Sequence, residues 1–248
     1  MNHSYFQLIG KRLRQEDAYF ISKDSHLFAV CDGVGGSQDG RMAAQMLVES
    51  IGNKYAISDI QTMEDFKIFT EEIVNSLWQK TLLDIATTMS LVYLSGASAY
   101  IASIGDTKVY VIDSISKEWI MTRDHSIVQE LYEAGIIHTE AEKRTHPMRH
   151  KITKAISSTT LLDTEDIEFK EIKTLTSGSY ILLATDGVCE SFEHEELIDI
   201  ILDKQLISVQ QKIAAIEEKC SRISKDNSTC VLIEYEKCEM CMEKTKNC

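Results

Sequence analysis

The chain is short of proline, of basic residues and of long apolar runs. One proline, Pro147, stands in 248 residues, and no Pro/Gly/Ser-rich stretch divides them. That excludes a low-complexity protein or domains joined by a linker, and predicts one domain over 1–236 with a short polar tail at 237–248. Lys and Arg number 26 against 39 Asp and Glu, a net charge of −13, which argues against nucleic acid as the main partner. No apolar run approaches the roughly 20 residues of a membrane span, so no membrane partner is expected. Residues 1–7 carry no basic region leading into an apolar stretch, so no secretory signal is read. Seven cysteines, an odd number without compact spacing, exclude a disulfide scaffold and point to the reducing cytoplasm. Common nucleophile motifs are missing too: there is no G-x-S-x-G, no Walker lysine loop and no Asp-x-Asp.

What the chain has is carboxylates at the ends of apolar runs. Residues 27–31 form an apolar run that stops at Asp32, with Gly33, Gly35 and Gly36 following. Alone, Asp-Gly after a strand is a turn. The pattern recurs, however: residues 180–185 end in Asp186-Gly187, and 99–104 end in Gly105-Asp106. Asp226 precedes the run 229–235, and Glu16 and Asp17 precede 18–21. Six carboxylates gathered at strand ends would repel one another unless a hard divalent cation stood among them. Converging Asp32, Asp186 and Asp226 could hold two cations bridged by a water and clamp an in-line displacement at phosphorus. Arg12, four residues before Glu16, could grip a phosphate with two hydrogen bonds; its bland alternative is a surface ion pair.

The intervening pattern predicts mixed helices and strands. Helices are expected over 40–55, 63–81, 192–203 and 208–222, the last opened by a Ser208–Gln211 capping box. Strands are expected over 4–10, 18–21, 27–31, 89–94, 97–104, 108–112, 119–121, 167–172, 179–184 and 230–235. Boxes at Ser126–Gln129 and Thr139–Glu142 suggest two short helices, the first stopping at Gly135. Residues 136–158, polar and holding His138, His146 and His150, read as a short helix and a long loop covering a site. The three histidines lack metal spacing. Cys238 and Cys241 form a lone C-x-x-C which, even with Cys248, falls short of the four ligands of a zinc site. Strands in hairpin-like runs suggest antiparallel sheets covered by helices.

Seven pieces in order then resemble the metal-dependent serine/threonine protein phosphatases of the protein phosphatase 2C (PPM) family, in their compact bacterial form. They are Arg12-Leu-Arg-Gln-Glu-Asp17, Asp32-Gly-Val-Gly-Gly36, Ile104-Gly-Asp-Thr-Lys108, Thr122-Arg-Asp-His-Ser126, His146-Pro-Met-Arg149 with Ile152-Thr-Lys-Ala155, Ala184-Thr-Asp-Gly-Val188 and Asp226-Asn-Ser-Thr229.

The resemblance implies an α+β fold, a four-layer α-β-β-α sandwich of two antiparallel sheets flanked by helices, with 136–158 as a flap. It implies two to three divalent cations, Mn2+ or Mg2+. Asp32 would bridge two of them, with Asp186 and Asp226 on the first, and Glu16 and the Gly33 carbonyl on the second. Asp106 with Asp186 would form a weaker third site. Asp17 would order a water from behind, Asn227 would support the loop, and Arg12 would bind the phosphate. The activity implied is hydrolysis of phosphoserine and phosphothreonine on proteins by a metal-bridging water, by a monomer that opposes a serine/threonine kinase. The alternative is a catalytically weak phosphatase-like module that binds phosphoproteins. Departures exist: Val34 and Ser37 stand where some relatives carry a histidine proposed as general acid. Gln15 replaces a common Asn, Lys108 a common Arg, and Ser157 a usual Gly.

Overall fold

Strand Leu27–Cys31 is apolar and buried at every position, and the reason organises the molecule. Alternate side chains on a strand point to opposite faces. Leu27, Ala29 and Cys31 pack into one apolar cluster with helical residues, whereas Phe28 and Val30 pack into another that contains no helical residue. Such a strand is covered on both sides, by helices on one and by a second sheet on the other. The same split holds across the molecule: Leu182 and Cys230 face a third cluster with helices, while Ile181 and Val231 join the helix-free cluster. Three apolar interlayers require four layers, so the expected α-β-β-α sandwich is the observed fold.

In this computed structural model, residues 1–35 and 39–236 are described. Gly36, Ser37 and the cysteines of 237–248 lie outside them. The elements in order are β1 (Asn2–Leu8), β2 (Ala18–Ile21), β3 (Leu27–Cys31), α1 (Gly40–Tyr55), α2 (Met63–Val74), β4 (Ala86–Thr87), β5 (Met89–Ser95), β6 (Ser98–Ile104), β7 (Lys108–Ile112) and β8 (Trp119–Met121). They continue with α3 (Ile127–Glu133), α4 (Glu140–Thr145), β9 (Ile156–Ser157), β10 (Glu168–Ile172), β11 (Tyr180–Ala184), α5 (Asp186–Cys189), α6 (His194–Leu202), α7 (Val209–Ile223) and β12 (Ser228–Glu234). One sheet runs β1-β12-β11-β7-β8 and the other β10-β6-β5-β3-β2, with every pairing antiparallel. Helices α1 and α2 cover the second sheet, and α6 and α7 the first.

Several local expectations are corrected. Helix α2 stops at Val74, well short of residue 81. Asn75, the next residue, turns its amide to Leu162, donating to its carbonyl (3.1 Å) and accepting from its N–H (3.0 Å). The chain then proceeds in turns, with Gln79 in the left-handed region at φ 55°. A reciprocal capping box forms at Ser208–Gln211, as expected, and at Thr62–Asp65. Ser126 and Thr139 cap α3 and α4 with their hydroxyls alone; the Glu142 carboxylate accepts from His138 instead. Residues 136–158 hold one short helix, α4, as read, and meet the rest of the fold through the Ser126–Ile152 bridge and the pairing of β9 with β4.

Candidate active site

The sheets end where the carboxylates begin. Asp32 follows β3, Asp106 stands two residues past the end of β6, Asp186 opens α5 two residues past the end of β11, and Asp226 stands two residues before β12. All four are half-buried, and Asp17, just before β2, is buried. Burial comes first among the forces that push the Asp32 and Asp186 carboxyls well above their ordinary value; the charges of neighbouring aspartates add to it. For Asp32 these are Asp17, Asp186, Asp106 and Asp226; for Asp186 they are Asp106, Asp226 and Asp17. Asp106 is raised to about 6 by burial and by Asp124, with Lys108 opposing. Asp17 is raised to about 7, chiefly by burial, although hydroxyls of Thr229 and Thr185 work against the shift. The strand ends therefore bring the predicted aspartates into one electrostatic group.

Two oxygens of that group are orphans. Asp17 Oδ2 accepts from Thr185 (3.0 Å) and Thr229 (2.7 Å), but buried Asp17 Oδ1 and Asp186 Oδ1 have no hydrogen-bond partner among the described residues. An unpaired carboxylate oxygen among like charges is unfavourable unless a proton or a cation satisfies it. Oxygen-only donors of this kind fit a hard divalent cation. Among the described residues, no three acidic, histidine or cysteine side chains stand so placed that they could hold a metal ion as they are. One ligand candidate is otherwise engaged: Arg12 forms an ion pair with Asp226. Arg12 also feels the charges of Asp186 and Glu16.

The backbone around the group is tightly held. Thr88 N–H and the Thr87 hydroxyl both donate to the Asp32 carbonyl at 2.8 Å. Gly33 N–H donates to the Glu16 carbonyl at 3.2 Å, joining the two carboxylate-bearing segments. A Cβ on Gly33 would lie 2.4 Å from the backbone of Gly40, the first residue of α1, so the approach of these two segments requires glycine. Asn227 is the main clamp. Its Oδ1 accepts from Glu16 N–H at 2.7 Å, and its Nδ2 donates to the carbonyls of Ile9 and Arg14 at 2.9 Å each. Asn227→Ala strands three backbone groups and should cost about 2 kcal/mol locally. Amide exchange over residues 9–16 should then speed by about 30-fold; unchanged exchange would show that the clamp carries no load.

The segment Thr122–Ser126 braces the Asp106 turn. Thr122 Oγ1 accepts from Val109 N–H (3.0 Å), and Asp124 pairs with Lys108. Gly105 N–H donates to His125 Nδ1 (3.2 Å), and His125 N–H returns a bond to the Gly105 carbonyl (2.8 Å). Burial first, then Lys154 and Arg123, hold the His125 pKa below its ordinary value, which keeps that nitrogen an acceptor. The motif was visible in the sequence, but its bracing role was not. Thr185 and Thr229 stood within the quoted pieces Ala184-Thr-Asp-Gly-Val188 and Asp226-Asn-Ser-Thr229, but their hydrogen bonds to Asp17 were not legible there. The flap histidines serve separate local contacts: His146 Nδ1 accepts from Met148 N–H, and His150 lies 3.2 Å from Glu190.

Comparison with known proteins follows the same lines. The family description protein phosphatase 2C matches residues 8–220. The protein phosphatase PhpP of Streptococcus pneumoniae is 27% identical over 183 residues, covering 71% of this chain and 72% of that one. A crystal structure of a bacterial serine phosphatase superposes with a TM-score of 0.84 at 25% identity, covering 96% of this chain and 99% of that chain. The catalytic domain of the serine threonine protein phosphatase PstP, in complex with two manganese ions, shares the fold at 18% identity and a TM-score of 0.76, covering 94% and 97%.

Proposed function

The chain belongs to the protein phosphatase 2C family, and from that premise we propose that it is a metal-dependent phosphatase of phosphoserine and phosphothreonine on proteins. The single observation that carries the reading is the group of strand-end aspartates with its orphaned oxygens, beside an exposed arginine. Asp32, Asp186 and Asp226 are the proposed holders of two divalent cations, with Glu16 and the Gly33 carbonyl, and Asp106 as holder of a third. Manganese or magnesium suits such a donor set. When bound, such cations acidify a water and neutralise charge that builds on the phosphoryl group. The chain supplies the rest. Arg12 can leave Asp226 to grip phosphate oxygens in a forked, charge-assisted pair. Asp17, steadied by Thr185 and Thr229, offers Oδ1 to order a water from behind. The braces at Thr87, Thr88, Asn227 and His125 fix the carboxylates beforehand, so that little reorganisation is needed during reaction.

The proposed partners are phosphoproteins produced by a serine/threonine kinase, met by a monomer in the cytoplasm. Among the described residues no helix is long and apolar enough to cross a membrane. Cys31, Cys189, Cys220 and Cys230 are buried free thiols, as a reducing compartment allows. The test is hydrolysis of a phosphothreonine peptide with manganese or magnesium, then with excess chelator. Turnover should appear with metal and vanish with chelator. Folded protein that binds the peptide yet releases no phosphate with any divalent ion would replace the reading with a phosphoprotein-binding module.

A further inference from the structure

A cavity of about 600 Å3 opens beside the carboxylate group, with Asp106 and Asp186 in its wall. Its volume lies within the range of ligand sites. Its charge is unlike that of the chain as a whole. Seven lysines and arginines line it against six carboxylates, whereas acids exceed bases 39 to 26 in the sequence. Two of the six carboxylates are Asp106 and Asp186 themselves, whose charge the proposed cations would neutralise. The wall then presents an excess of positive charge.

Most of that charge is already committed. Lys108 is paired with Asp124, Lys143 with Glu140, Arg123 with Glu133, and Lys170 with Glu168. Arg144 donates to the Phe192 carbonyl and pairs with Glu193. Two cations are left over. Arg149 Nε stands 3.8 Å from Glu190, beyond hydrogen-bonding distance, and shares that carboxylate with His150. Lys225 is exposed and has no ion pair or hydrogen bond among the described residues. Met121, Val128, Tyr132 and Ile223 supply apolar wall between the polar groups. A cavity with apolar flanks and two loosely held cations suits an extended segment that carries negative charge.

We propose that this cavity is a specificity subsite of the phosphatase, and that it takes an anionic side chain of the phosphoprotein near the residue being hydrolysed. The anion is a carboxylate or a second phosphate, gripped by Arg149 and Lys225. The inference rests on the phosphatase reading above. Two exposed charge contacts are together worth about tenfold in kcat/KM, and salt should weaken them.

The experiment uses the full chain with manganese and four phosphothreonine peptides, identical except for flanking Glu, phosphoserine, Ala or Lys. The Glu and phosphoserine peptides should exceed the Ala peptide by about tenfold in kcat/KM, and the two arms show which anion fits better. The preference should fall to near unity in Arg149→Ala/Lys225→Ala and turn toward the Lys peptide in Arg149→Glu/Lys225→Glu. Equal kcat/KM across the peptides, or a preference untouched by the double substitution, would overturn the proposal. Titrating the same peptides, fluorescently labelled, onto the protein separates the two readings. Preferential binding of the Glu peptide without turnover would sink the hydrolysis and leave the subsite standing; turnover without preference would do the reverse.

Discussion

Asp186→Asn should cut kcat/KM for a phosphothreonine peptide on the order of 1000-fold while raising the melting temperature of the metal-free protein. The two effects have one cause. Asp186 sits where burial and three neighbouring aspartates all disfavour a negative charge, and one of its oxygens is unpaired among the described residues. Asparagine keeps the shape and removes the charge. A cation held there then loses an anionic ligand, which is worth several kcal/mol of transition-state stabilisation. Without metal, the variant escapes the repulsion and should gain about 1 kcal/mol, or about 2–4 °C for a chain of this size. The pH dependence has a definite sign. A carboxyl whose folded pKa is raised binds its proton more tightly in the folded than in the unfolded chain. Its contribution to stability is complete below the ordinary value of 3.8 and is lost as pH rises through the folded values, about 6 for Asp106 and about 7 for Asp17. Metal-free protein should therefore lose stability between about pH 4 and pH 7, and Asp186→Asn should flatten that loss. Manganese should do the same for the parent by replacing the missing protons. A variant that melted lower than the parent in chelator, at every pH, would show that the aspartates are not crowded in the way described.

The layers were legible because burial writes itself into residue type. A strand such as Leu27–Cys31, apolar at successive positions, can only be covered on both faces, and its terminal Asp32 then marks the rim of a sheet. The same grammar at Tyr180–Ala184 and Ser228–Glu234 placed Asp186 and Asp226. What the sequence did not disclose lies in contacts between distant segments. Asn75 reads as one more helical residue until Leu162 offers it two hydrogen bonds, and the helix ends there. Thr87 and Thr88 belong to none of the motifs read in the sequence, yet their hydrogen bonds hold the Asp32 backbone. Asn227 was legible as a supporting residue, but not that it gathers Ile9, Arg14 and Glu16 at once. In each case a local propensity is weak and a tertiary partner decides. Arg12 shows the limit for the site itself. Its ion pair and its phosphate-binding role both follow from one fork of charge, and which partner it holds depends on what else binds Asp226.

Lys108→Ala should be the most damaging substitution for the fold near the site, lowering stability by about 3–5 kcal/mol. Lys108 lies opposite Ala184 in the sheet, two residues ahead of Asp186. Its side chain is 9% exposed and that of its partner Asp124 16%. Burial works against its charge, but Asp124, Cys189 and Asp106 outweigh that and hold it protonated, above its ordinary value. Removing the lysine leaves Asp124 half-buried and uncompensated beside Asp106, in a region already crowded with carboxylates. At about 2–4 °C per kcal/mol, the melting temperature should fall by about 10 °C. A double-mutant cycle isolates the pair. Lys108→Met/Asp124→Leu should recover most of the loss, because an ion pair replaced by apolar groups of similar volume leaves no buried charge behind. Lys108→Arg should retain the pairing, since guanidinium meets a carboxylate at least as well. The cycle also reports on the site. Lys108 is the cation that opposes the upward push on Asp106, so in Lys108→Met/Asp124→Leu the Asp106 carboxyl loses both its helper and the repulsion from Asp124. In Lys108→Met alone it loses only the helper, and its titration, followed by carboxyl carbon NMR in chelator, should move above about 6. A titration that stayed in place would mean that Lys108 holds Asp124 without reaching the site at all.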